Sequence, residues 1–143
     1  MNFQAIRASM ESPILTAFND LATPVPVFFD NITATPANST TEFVRVNVQF
    51  GLTNETLLSD EIDNVSGTLV VQVFTEKGRG PARNQELVSV ASDVIEALNN
   101  TAKTSTGVYT RVGPLSGPSF SSTETSPHFV SRLEAPYVAT DLS

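Results

Sequence analysis

The apolar positions along the chain change period from one stretch to the next. The densest run is residues 65–74, where Leu69, Val71 and Val73 alternate with Val70, Gln72 and Phe74. A period of two with apolar residues at most positions predicts a strand largely buried on both faces. Residues 76–81 form a Gly-rich turn, and Pro81 suits the first turn of a helix, where no backbone N–H is needed. Beyond it Leu87, Val88, Ala91, Val94, Ile95 and Leu98 recur at helical spacing. Arg83, Glu86, Ser89, Ser92, Asp93 and Glu96 fill the other face, and Asn99 and Asn100 suit a helix end.

The remaining stretches extend this strand-to-helix unit. Residues 2–21 place Phe3, Ile6, Met10, Ile14, Phe18 and Leu21 on one helical stripe. Pro13 removes a donor there, which predicts two helical pieces or one bent helix. Residues 23–31 are too rich in proline for a central strand, so 27–29 are expected as a short edge strand. Residues 41–50 are the clearest strand, with Val44, Val46, Val48 and Phe50 opposed to Phe43, Arg45, Asn47 and Gln49. Gly51 should end it, and 52–64 should be a long acidic connection at the tip of a wide antiparallel hairpin. Residues 107–113 read as a short strand, 114–127 as a loop dense in Ser, Pro and Gly, and 128–134 as a final strand. Pro136 argues for an edge position or a bulge. The expected fold is α+β: an antiparallel sheet of about four strands with two main helices packed on it, in one domain spanning residues 1–143.

Composition narrows the function classes. The net charge of −7 disfavours non-specific binding to nucleic acid or to an anionic membrane surface. Without cysteine the chain has neither disulfides nor thiol chemistry. Charged residues make up only 16%, and Ser, Thr and Asn supply the missing polarity. The opening residues carry no secretory pattern and no run is long enough to span a bilayer, so the chain is expected to be cytosolic at synthesis.

Candidate chemistry is sparse. His128 is the single histidine, and no second soft ligand or nucleophile-elbow pattern accompanies it. Asp60, Glu61 and Asp63 lack the spacing of a calcium loop. Gly78-Arg79-Gly80 lacks both the Walker and the dinucleotide patterns. Sequons at Asn31, Asn38, Asn54, Asn64 and Asn99 read as chance in a Ser/Thr-rich chain. No catalytic, cofactor-binding or metal-binding residue is assigned. Lys77, Arg79 and Arg83 instead make a basic turn in an acidic protein, while Glu55, Asp60, Glu61 and Asp63 make an acidic loop. These seven residues are the candidate contacts between subunits or with partners.

The order of features resembles the tail terminator (tail completion) proteins of long-tailed bacteriophages, above all a small family of phage tail-terminator-like proteins. The resemblance covers nearly the whole chain. An opening helix carries Ala5-Ile6-Arg7, a Pro-containing segment follows at 23–29, and then the strand Phe43-Val44-Arg45-Val46. Gly67 opens a strand ending Val71-Gln72-Val73-Phe74, before Lys77-Gly78-Arg79-Gly80 and a helix with Ala91-Ser92-Asp93. Strands at 108–112 and at the end close the pattern. One departure is that the family often shows an aromatic-rich segment near its first strand, where this chain has only Phe28 and Phe29.

The resemblance implies a non-enzymatic virion subunit that forms a hexameric ring at the head-proximal end of the tail. The ring would stop tail-tube growth and meet a head-completion or neck protein, with host cytoplasm as the site of assembly. DNA would pass through its lumen without specific binding. The residues leave open a head–tail connector or tail-tube subunit, although one candidate long hairpin beside two helices favours the terminator. A small-ligand-binding α+β domain is the alternative from another class.

Overall fold

The computed structural model describes residues 3–22, 25–30, 42–55, 63–76, 82–98, 108–121 and 128–141. Eight elements follow in order: α1 (Phe3–Asn19), β1 (Val27–Phe28), β2 (Phe43–Glu55), β3 (Asp63–Glu76), α2 (Ala82–Ala97), β4 (Val108–Val112), β5 (Ser116–Ser121) and β6 (His128–Asp141). The architecture is α+β. It has six strands rather than about four, in the order β1-β2-β3-β6-β4, with β5 also paired to β6. The sheet is antiparallel except at its edge, where β1 runs parallel to β2.

Alternation along the strands fixes two unlike faces. Val44, Val46 and Val48 of β2 and Leu69, Val71 and Val73 of β3 are buried in one core with Leu133, Ala135 and Tyr137 of β6. Both helices lay their stripes on this face: Ile6, Met10, Ile14 and Phe18 from α1, and Leu87, Val88, Ala91 and Ile95 from α2. Burying these side chains is worth about 1.5–3 kcal/mol each for the larger ones. α1 lies over the half of the sheet that holds Phe50 and Thr110, and α2 over the half that holds Val73 and Phe129.

Several expectations are corrected. Of the two expectations at Pro13, two pieces or one helix, the single helix is observed, with Pro13 inside α1. Its apolar stripe supplies tertiary packing that outweighs the lost donor. β2 does not stop at Gly51; a register shift between Phe50 and Thr53 absorbs the irregularity and pairing resumes to Glu55↔Asp63. Residues 52–55 and 63–64 of the expected connection are therefore ladder, and 56–62 lie outside the described residues. Residues 116–121, expected as loop, form β5 on β6. The Gly117–Pro118 peptide is cis, and Gly117 has φ +106°, a region where a Cβ would also approach the Arg132 carbonyl to 2.6 Å.

Pro136 sits in a central strand, not at an edge. β6 pairs β3 along its whole length, while its other side pairs β5 up to Glu134 and β4 from Tyr137. The Pro136 carbonyl accepts the Gly113 N–H at 2.7 Å, so its missing donor points into the same gap between β5 and β4. Proline here costs no bond to β3.

Candidate functional site

The residues singled out from sequence are scattered. Lys77, Arg79, Asp60 and Glu61 lie outside the described residues, as do Asn31, Asn38 and Asn99. Glu55 and Asp63 are register partners at the far end of the β2–β3 ladder, and His128 opens β6 opposite Glu76. Asn64 lies in β3, where its side-chain oxygen accepts the Thr140 hydroxyl at 2.8 Å.

Arg83 is held within the chain. Its guanidinium grips Glu42 through Nη2 at 2.7 Å and Nε at 3.0 Å, and Nη1 donates to Glu86 at 3.2 Å. The hydrogen bond from Arg83 to Glu42 raises the guanidinium pKa against the opposing effect of burial. This fork ties the start of α2 to the start of β2 and fixes how the helix lies on the sheet.

A second charged cluster sits at the β2 edge beyond β1. Asp30 accepts the Val48 N–H at 2.9 Å and is paired with Arg7, whose guanidinium also lies 5.5 Å from the Phe50 ring. The carboxylate occupies a position that a neighbouring strand would use. Polar blocking of this kind guards sheet edges against unwanted pairing. Arg7 reaches Glu11 at 3.4 Å, and burial pushes the Glu11 carboxyl up despite that cation.

A buried polar site joins α2 to the sheet. Asn84 is fully buried, and its amide nitrogen lies within 3.1–3.2 Å of the Val73 carbonyl, the Thr75 hydroxyl and the Phe129 carbonyl. Its oxygen accepts the Ser131 hydroxyl. All buried side-chain polar atoms among the described residues are partnered. The site is closed and satisfied, which suits a structural anchor and not a reaction centre.

Among the described residues no helix packs on the sheet face turned away from α1 and α2, although Phe43 and Val70 on it are buried. Phe43 stacks on Phe74 at 4.4 Å and meets Phe28 edge-on at 5.7 Å, so this row shields itself. Next to it stand Arg45, Gln72 and Arg132, then Asn47, Val70 and Glu134. At the other end Arg111 of β4 lies opposite Val138 of β6, and Val138 is 47% exposed.

On the helix side, α2 and β5 enclose a groove of about 540 Å³. Its apolar part is Val88, Leu115, Pro118, Phe120 and Leu133, with Phe120 46% exposed and 5.6 Å from the Phe129 ring. Asp93 and Glu96 are its charged residues, and both are acidic. The loop reading of 116–121 hid this groove, because its outer wall is a strand with weak alternation. Phe120 was the available signal: one large apolar residue amid small polar ones.

Among the described residues no cluster of three or more His, Asp or Glu could hold a metal ion, and no helix is long and apolar enough to cross a membrane. The arrangement offers surfaces. No family model matches the chain, and no curated protein matches it. Among solved structures, one that carries no functional name superposes with a TM-score of 0.72 at 22% identity, covering 97% of this chain and 96% of that one. That likeness shows the fold alone: a one-sided α+β domain that a distant sequence also adopts.

Proposed function

We propose that this chain is a structural, non-catalytic subunit of a phage tail, assembling as a hexameric ring at the head-proximal end. There it stops tube growth, and it meets the tail-tube protein on one side and a head-completion or neck protein on the other. The one-sided layering carries this reading. A subunit with helices on one sheet face and, among the described residues, none on the differently charged opposite face has two unlike surfaces. Unlike surfaces make head-to-tail contacts, and such contacts close into rings when the rotation allows. The segments that join β2 to β3 and β5 to β6 are contact candidates, and the overall negative charge lets DNA slide past. Lys77, Arg79 and the acids at 55–63 remain contact candidates. Arg83 serves first as an internal brace.

Gold-labelled antibody on particles from the producing organism's lysate, viewed by electron microscopy, tests the reading. Gold is expected at the head–tail junction. No gold on any particle, with the protein free in the soluble fraction, refutes it and favours a ligand-binding domain. A tail-tube subunit is the second reading, favoured by one observation: β2, β3 and β6 are 13, 14 and 14 residues long. Strands of that length suit a continuous barrel wall, and gold along the whole tail would select that reading.

A further inference from the structure

We propose that the groove between α2 and β5 receives the sheet face opposite the helices of a second copy of this chain, with Val138 and Arg111 as the entering side chains. The biological setting rests on the ring reading above, but the argument is local. The groove sets an apolar floor of Phe120, Leu115 and Val88 beside two carboxylates, Asp93 and Glu96. Its counterpart must present an apolar side chain next to a cation. Val138 and Arg111 are register partners on neighbouring strands, which puts their Cβ atoms about 5 Å apart on one face. Both are exposed.

Charge segregation points the same way. Among the described residues the sheet face away from the helices carries Arg45, Arg111 and Arg132 against the acids Glu76 and Glu134. The solvent side of α2 carries Glu86, Asp93 and Glu96 against Arg83. Complementary potentials steer two copies into one orientation and disfavour like-face pairing. Val138 and Arg111 lie on the sheet face opposite α2, so a copy cannot fill its own groove. Each copy offers one groove and one knob, and the contact repeats until the assembly closes.

The absence of cysteine makes the test clean. Ser92→Cys and Val138→Cys variants are prepared separately, checked for native circular dichroism, mixed and treated with a short bis-maleimide. A covalent dimer is expected in the mixture and not in either variant alone. A chain carrying both cysteines should give a ladder that stops at one closed size. In sedimentation, Asp93→Arg with Glu96→Arg should shift assembly to about tenfold higher concentration, and so should Arg111→Glu. Combining all three should restore it. Equal cross-linking within one single-cysteine variant overturns the interface, as does a chain that stays monomeric and uncross-linked at millimolar concentration. Gold at the head–tail junction without a ladder would overturn this interface and leave the tail reading standing. A ladder without gold on particles would keep the interface and remove the tail reading.

Discussion

Replacing Asn84 with alanine should be among the most damaging single changes in this chain. The carboxamide has two N–H donors and reaches three acceptors on β3 and β6, so α2 is anchored to both central strands through one side chain. Asn84→Ala leaves the buried Ser131 hydroxyl without the oxygen it donates to, and deprives Thr75 of a donor. An unsatisfied buried polar group costs about 1–3 kcal/mol. The small cavity left by the carboxamide adds about 1 kcal/mol. The expected loss is about 2–4 kcal/mol, a large part of the roughly 5–15 kcal/mol that holds a domain together. Urea titration followed by far-UV circular dichroism measures it. The midpoint should fall with the slope unchanged. Ser131→Ala removes the orphaned hydroxyl, so adding it to Asn84→Ala should cost less than the two single losses together, by at least about 1 kcal/mol. A loss below about 1 kcal/mol for Asn84→Ala, or strict additivity, would refute the anchoring role.

Three further outcomes are expected. Gly67 lies beneath the Tyr137 ring, and a Cβ there would stand 2.0 Å from the Gln49 carbonyl and 2.7 Å from the Tyr137 hydroxyl. Gly67→Ala should therefore cost about 3 kcal/mol or more, and adding Tyr137→Phe should not rescue it, because the backbone carbonyl still blocks the methyl; thermal melts decide. Tyr137 is 1% exposed and donates to the Gln49 carbonyl at 3.1 Å, and burial pushes its phenol up to about 12. The unfolded chain ionises first, so this contribution is intact below pH 10 and is lost as pH rises from about 10 to about 12, by about 2–3 kcal/mol. Tyr137→Phe should flatten that part of the stability–pH curve. Burial raises the Glu11 carboxyl, so its charge is a burden near pH 7 that lifts as pH falls. Glu11→Gln should leave chemical-denaturation stability at pH 7 equal or higher, within about 1 kcal/mol, although it breaks the contact with Arg7.

Local order was legible wherever one side-chain period dominated. The stripes of α1 and α2 and the alternation of β2 and β3 carry their own signal, because burial on one face demands a fixed spacing of apolar residues. The short edge strand at Val27–Phe28 was legible from its prolines for the same local reason. The hairpin between β2 and β3 followed from adjacency, though its length did not, because a bulge beyond Phe50 lets pairing outlast the apolar pattern. The candidate surfaces were less legible. Arg83 stood out by its charge, but its bond to Glu42, 41 residues away, is a property of the fold. Phe120 and Val138 look unremarkable in a string, and they matter only because β5 and β4 share β6.

The sequence by itself determined which segments form helices and central strands, that the fold is α+β, and that the surface is acidic. Those follow from periodicity and composition, which act within a few residues. Only the tertiary structure decided that β1 joins in parallel, that residues 116–121 pair as a strand, and that Pro136 is central with its missing donor in a gap. It alone brought Asn84 to Thr75 and Ser131, and set the groove and the Val138–Arg111 pair on opposite faces of one sheet. Pairing across a sheet joins residues far apart in the chain, and the favourable energy of each pair exists only once the intervening segments have closed their loops.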